Sequence, residues 1–277
     1  MPNLSTERSA ETPRAGQETT RQLLNGFRRD WAALWGRAED RQAIQVLVSS
    51  LVLVVIFSIW GRPIFLRSHL PEVARLIGWS PQHVYYDFLP YAYWALTSVG
   101  LRVLVPLAIV IAIVRQRPAD FGFRLRGITP HAWTYLLLFL GMIPIVLAAS
   151  FTTAFQNKYP LYGGAARDLS HFALYQVAYG IQFVGVEAFF RGFMTFGLYP
   201  RFGYLGLFIM VIPYCMVHFG KPAPEVFMAI PAGLILGYLA LKSRTWIFGA
   251  LLHWTVAITM DLLAIMHKGG FGSGAAG

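Results

Sequence analysis

Seven apolar stretches, at 42–60, 91–114, 131–151, 172–199, 204–218, 226–241 and 246–266, set the terms on which this chain can fold. A bilayer core about 30 Å thick is crossed by about 20 residues of α-helix, and a segment in lipid must satisfy its own backbone polar groups. Runs of this length therefore read as helices, and the expectation is an all-α, polytopic transmembrane helical bundle of about seven spans. The fifth and sixth stretches are short, and Pro213, Pro222, Pro224 and Pro231 crowd around them. That pattern predicts kinked or partly re-entrant segments lined by protein. Composition agrees, since 56% hydrophobic residues against 13% charged is too apolar for a soluble surface. Trp60, Trp79, Tyr91, Trp94, Trp133, Tyr199, Tyr204 and Trp246 fall near the ends of the runs, where amphipathic rings anchor at the membrane interface.

The net charge of +10 carries topology rather than nucleic-acid binding, because the arginines sit in the tail and the short connections and form no basic stripe interleaved with aromatics. Of the 23 Lys and Arg residues, 14 fall on the N-terminal side and seven on the other. The positive-inside rule then puts the N-terminus in the cytoplasm and, for seven spans, the C-terminus outside. Four regions are expected. Residues 1–41 form a polar cytoplasmic tail, disordered over the first twenty, in which Leu23, Leu24, Phe27, Trp31, Leu34 and Trp35 mark an amphipathic helix. Residues 42–171 hold the N-terminal transmembrane helices and connectors, among them an amphipathic connector at 117–126. Residues 172–268 form a C-terminal core, and 269–277 a Gly-rich, disordered tail. The first apolar run begins only near Gln42 and lacks a cleavage pattern, so it is not read as a signal peptide. Cys215 stands alone and permits no disulfide within the chain, and no P-loop, dinucleotide fingerprint or HExxH motif occurs.

Ionisable residues deep in a bilayer are costly, so each is a candidate for function. Glu187 lies 13 residues before Pro200, or about 20 Å along a helix, and Arg191 is one turn further on the same face. Alone, the two read equally as an ion pair that locks helix packing. His218 ends the fifth stretch, followed by Lys221 and Glu225. His253 sits within the last span with Asp261 two turns beyond. One carboxylate, one arginine and two histidines on three neighbouring spans are the parts of a water-activating site.

Glu187-Ala-Phe-Phe-Arg191 resembles the second half of the EExxxR motif of the CPBP (CAAX protease and bacteriocin-processing, or Abi) family of intramembrane proteases. Tyr214-Cys-Met-Val-His218 resembles its FxxxH, and His253 its final HxxxN/D, in matching order over about 172–266. The resemblance implies an all-α bundle with polar residues facing a cavity, in a family whose members cleave prenylated proteins or process and resist peptide toxins. It implies an endopeptidase in which Glu187, with His218, activates water, His253 stabilises the oxyanion and Arg191 orients Glu187. Three positions depart from the pattern: Val186 replaces the first glutamate, Tyr214 the phenylalanine, and Ala257 the final Asn or Asp. Asp261 and Glu225 are second-rank candidates for the missing polar functions. A helix rotates about 100° per residue, so Glu187 takes the place of a side chain at 186 only if the helix turns locally. The implied partners are membrane lipids and a membrane-associated protein or peptide substrate, in the cytoplasmic membrane of a prokaryote, with no nucleic acid. No cofactor is obligatory in this reading, with Zn²⁺ on Glu187, His218 and His253 as the alternative. A non-catalytic immunity or anchoring protein of the same fold and a proton-coupled transporter are the alternative functions.

Overall fold

A computed structural model describes residues 20–124 and 131–272, which divide into two compact units between Arg41 and Gln42. Residues 1–19, the end of the 117–126 connector and the tail beyond 272 lie outside the described residues. The first unit contains α1 (Thr20–Gly36). Phe27, Trp31 and Trp35 recur every four residues and so share one face, with ring centroids 6.0 and 5.7 Å apart. All three are exposed beside Arg28 and Arg29, the pattern of a helix that lies on lipid.

The described residues contain helices and no strand. Among the described residues, five helical segments are long and apolar enough to cross a membrane. Ala38–Arg67 comprises α2 (Ala38–Trp60) and the short α3 (Pro63–Arg67), followed by α4 (Leu70–Leu76). Tyr86–Val114 is one helix in which α5 (Leu89–Val99) and α6 (Val105–Ile109) alternate with π-helical turns at Gly100–Leu104 and Val110–Val114. The third is α7 (Ala132–Ser150), after which come the short α8 (Thr153–Lys158) and then α9 (Leu169–Glu187). The last π-helical stretch (Ala188–Phe196), α10 (Gly197–Phe202) and α11 (Leu205–Met216) follow, and the remaining two spans are α12 (Ala223–Ser243) and α13 (Ile247–His267). Their outer faces carry exposed Val, Leu and Ile, which lipid covers at no desolvation cost.

Two of the seven apolar stretches, the fourth and the sixth, differ from the sequence expectation: the sixth, α12, has 21 residues and stands among the five instead of being short. The fourth is helical from Leu169 to Phe202 but is not among the five, because Gln176, Gln182, Glu187 and Arg191 dilute its hydropathy. All four are buried in protein, so that helix has less need of a lipid-compatible surface. The fifth, α11, is short as expected: its 12 residues reach about 18 Å, less than a hydrocarbon core. The tail also differs in its described part: the Gly272 N–H donates to the Ala166 carbonyl at 2.9 Å, and the Phe271 ring meets Phe172 at 5.6 Å. Phe121, in the connector, is buried against Phe193 rather than left at a surface.

The Leu169–Phe202 helix is the centre of the bundle. Its first half packs between α5 and α13, and its π-helical stretch meets α11 and α12. Gly185 lets α5 approach closely, since a Cβ there would lie 2.1 Å from Ser98 Oγ. Asp168 caps the start of α9 by accepting from the His171 N–H at 2.9 Å.

Candidate active site

The change from α- to π-helix falls directly after Glu187, and Arg191 lies within the π-helical stretch. π-helical turns occur mostly as local inserts, frequently at functional sites, because they displace side chains from the α register. Here they leave Val186 in an apolar cluster with Phe189, Phe190 and Tyr214. Glu187 and Arg191 are both wholly inaccessible, and their Oε1 and Nη1 atoms are 3.0 Å apart. On the other side, His253 Nδ1 approaches the same Oε1 to 2.8 Å. The groups touch, yet the donors are not aligned to the carboxylate lone pairs, so these are close polar contacts rather than hydrogen bonds. Among the described residues Glu187 Oε2 has no hydrogen-bond partner, and it faces Gly249, where a Cβ would lie 2.5 Å away. Glycine one turn before His253 is therefore what lets α13 come up to the carboxylate.

Tyr214 joins the remaining residues to this pair. Arg191 Cζ lies 3.9 Å from the centre of its ring, and its hydroxyl is 3.3 Å from His253 Nε2. Its backbone carbonyl, near the end of α11, accepts from His218 Nδ1 at 2.8 Å, and the two rings meet edge to face at 4.7 Å. The other face of His253 stacks on Phe183 at 5.4 Å. His253 keeps 20% of its side-chain exposure while Glu187 keeps none, so the centre opens on the His253 side. An apolar cleft of about 300 Å³ between α9 and α13, lined by Gly180, Val184, Ala250 and Trp254 among others, runs beside it.

Four of the six candidate residues thus gather: Glu187, Arg191 and His253 directly, and His218 through Tyr214. Glu225 and Asp261 have other partners. The Tyr159 hydroxyl donates to the Glu225 carboxylate at 2.6 Å, with Lys221 Nζ 3.5 Å from Oε2. Asp261, wholly buried, accepts from Gln176 Nε2 at 2.7 Å. Sequence reasoning passed over Gly249 and the bridging position of Tyr214. It also passed over Arg102, a buried arginine in the second span whose Cζ lies 3.5 Å from the Phe57 ring centre.

A catalytic zinc needs three protein donors converging on one point. Among the described residues no three His, Cys, Asp or Glu side chains do so. Glu187 Oε1 is engaged by Arg191 and His253, and both nitrogens of His253 have neighbours. The donor set does not fit such a metal.

The helices and this centre together make the chain an integral membrane protein, a polytopic bundle with a buried glutamate, arginine and histidine contact. Residues 169–259 match the family described as type II CAAX prenyl endopeptidase, Rce1-like. The match bears out the CPBP resemblance, covers about a third of the chain and supports a CAAX-type intramembrane protease, a hydrolase. It takes in Glu187, Arg191, His218 and His253 but ends before Asp261. Neither a curated protein nor a solved structure matches the chain significantly.

Proposed function

We propose that the protein is an intramembrane endopeptidase that hydrolyses a membrane-associated protein or peptide with water activated by Glu187 and His218. The observation that carries this reading is the wholly buried Glu187 carboxylate held between Arg191 at 3.0 Å and His253 at 2.8 Å. A carboxylate in that setting strengthens every electrostatic contact around it, because little solvent screens it. Glu187 and His218 take the proton of the attacking water as its oxygen bonds to the peptide carbonyl carbon. That proton passes to the leaving amine as the C–N bond breaks. His218 is suited to this by its Nδ1 contact with the Tyr214 carbonyl, which leaves Nε2 as the ring's acceptor. His253, partly open, stabilises the oxyanion electrostatically, and Arg191 orients Glu187. Asp261 and Glu225 shape the protein around the centre, Asp261 by tying α13 to α9. The basic residues favour a cytoplasmic N-terminus, and the membrane in this reading is the cytoplasmic membrane of a prokaryote.

The test compares membranes carrying the wild-type protein with membranes carrying Glu187→Gln. The variant should accumulate an uncut membrane-associated protein, with processing slowed by about 10²-fold or more. Equal processing by the two sinks the reading. Strong chelation should leave the activity intact, whereas about one zinc per chain with activity lost on chelation would make His218 and His253 ligands.

A further inference from the structure

Tyr214 touches three of the four residues of the centre, each through a different group of its atoms. The backbone carbonyl takes His218 Nδ1 at 2.8 Å, the ring lies under the Arg191 guanidinium at 3.9 Å, and the hydroxyl meets His253 Nε2 at 3.3 Å. A phenylalanine would supply the first two contacts equally well. Only the hydroxyl is particular to tyrosine, and this chain has it where the CPBP pattern has phenylalanine. A buried hydroxyl needs a partner to offset its desolvation, and His253 is the partner.

We propose that the Tyr214 hydroxyl is a positioning group that fixes the tautomer and the ring orientation of His253. The carboxylate of Glu187, 2.8 Å from Nδ1, favours a proton on that nitrogen. In the resting centre the ring is neutral, Nε2 is then the acceptor and the Tyr214 O–H donates to it, and the ring serves an oxyanion only once it has gained a proton. With Nε2 bonded, Nδ1 in contact with the carboxylate and Phe183 stacked on its face at 5.4 Å, the imidazole has one orientation relative to Glu187. The two histidines are therefore set differently by one residue: His218 with Nε2 left over, His253 with Nε2 occupied. The role in the hydrolysis rests on the proposed endopeptidase function, while the hydrogen bond itself does not.

The experiment uses full-length protein with ¹⁵N-labelled histidine in lipid nanodiscs, comparing wild type with Tyr214→Phe, His253 being assigned by its substitution. The expected result is that His253 Nε2 moves toward the resonance of an unbonded ring nitrogen while His218 stays in place. Peptide cleavage should fall about 10- to 100-fold in kcat with little change in KM, the range for loss of a group that orients an active-site histidine. Incorporating 3-fluorotyrosine at 214, which makes the hydroxyl a stronger donor and keeps the ring, should move the His253 resonance the opposite way. That second probe decides the matter if the phenylalanine variant folds poorly. His253 resonances unchanged by both replacements overturn the proposal, as does an unchanged kcat in Tyr214→Phe. Wild-type protein without peptidase activity sinks the endopeptidase reading alone and leaves the imidazole resonances to decide this one.

Discussion

Two π-helical stretches each carry one buried arginine, and they differ in what lies beside it. Arg102, in Gly100–Leu104, has the Phe57 ring at 3.5 Å, and its Nη1 finds no hydrogen-bond partner. Arg191, in Ala188–Phe196, has the Tyr214 ring at 3.9 Å and also the Glu187 carboxylate at 3.0 Å. Beside Arg102 the group packed on the guanidinium is an aromatic face. Beside Arg191 a carboxylate joins the arrangement, and a partly open histidine on a third helix completes the proposed centre. Only the second stretch falls within the CAAX endopeptidase match.

The largest effect should come from breaking the second arrangement. Arg191→Met leaves Glu187 charged, buried and without its nearest counter-charge, a change that costs about 3–5 kcal/mol. The expected readout is a large loss of folded protein in a detergent thermal-shift assay. Glu187→Gln with Arg191→Met should recover much of that loss, since a neutral amide needs no counter-ion. A single Arg191→Met variant as stable as wild type would mean that the ring, not the carboxylate, holds this guanidinium.

How far this contrast could be read from the sequence depends on the residue. The spans followed from unbroken apolar runs, and Glu187, Arg191, His218 and His253 stood out because charge in such runs is rare. The switch to π-helix after Glu187 has no signature in residue types, since Ala-Phe-Phe continues an α-helix equally well. Its trace was indirect: the glutamate kept by this chain stands one position from the one replaced by Val186, and a helix that turns locally can reconcile them. Arg102 was legible but passed over, as one basic residue in an apolar run with no acidic residue within a turn. The partners of Asp261 and Glu225 were not legible, because Gln176 and Tyr159 come from distant parts of the chain and are brought to them only by helix packing.

A matched pair of glycine substitutions sharpens the comparison at a smaller scale. Gly249 has Glu187 Oε2 2.5 Å from where a Cβ would sit, whereas Gly100, at the start of the Arg102 stretch, has open space around it. Gly249→Ala should force α13 away from the carboxylate and cost about 1–3 kcal/mol, with peptide cleavage reduced. Gly100→Ala should be tolerated, with a gain of up to about 1 kcal/mol from the lower backbone entropy of alanine. Equal stability and activity of the two variants would show that α13 has slack at Glu187.

The smallest effect is expected at Arg102 itself. Replacing it with Met removes a cation–π contact worth about 0.5–2 kcal/mol. It also removes the cost of holding a guanidinium away from water with Nη1 unpartnered, which is several kcal/mol at the bilayer centre but less here. The reduction follows from the protein around it, since Arg102 is buried against the Phe57 ring instead of facing lipid. The two contributions nearly cancel, so Arg102→Met should change stability by no more than about 1 kcal/mol, with the balance toward stabilisation because the new side chain fills the same apolar space. Peptide cleavage should be unchanged. A thermal-shift measurement showing Arg102→Met as damaging as Arg191→Met would mean that Arg102 has an anionic partner of its own, and the contrast between the two π-helical stretches would fall.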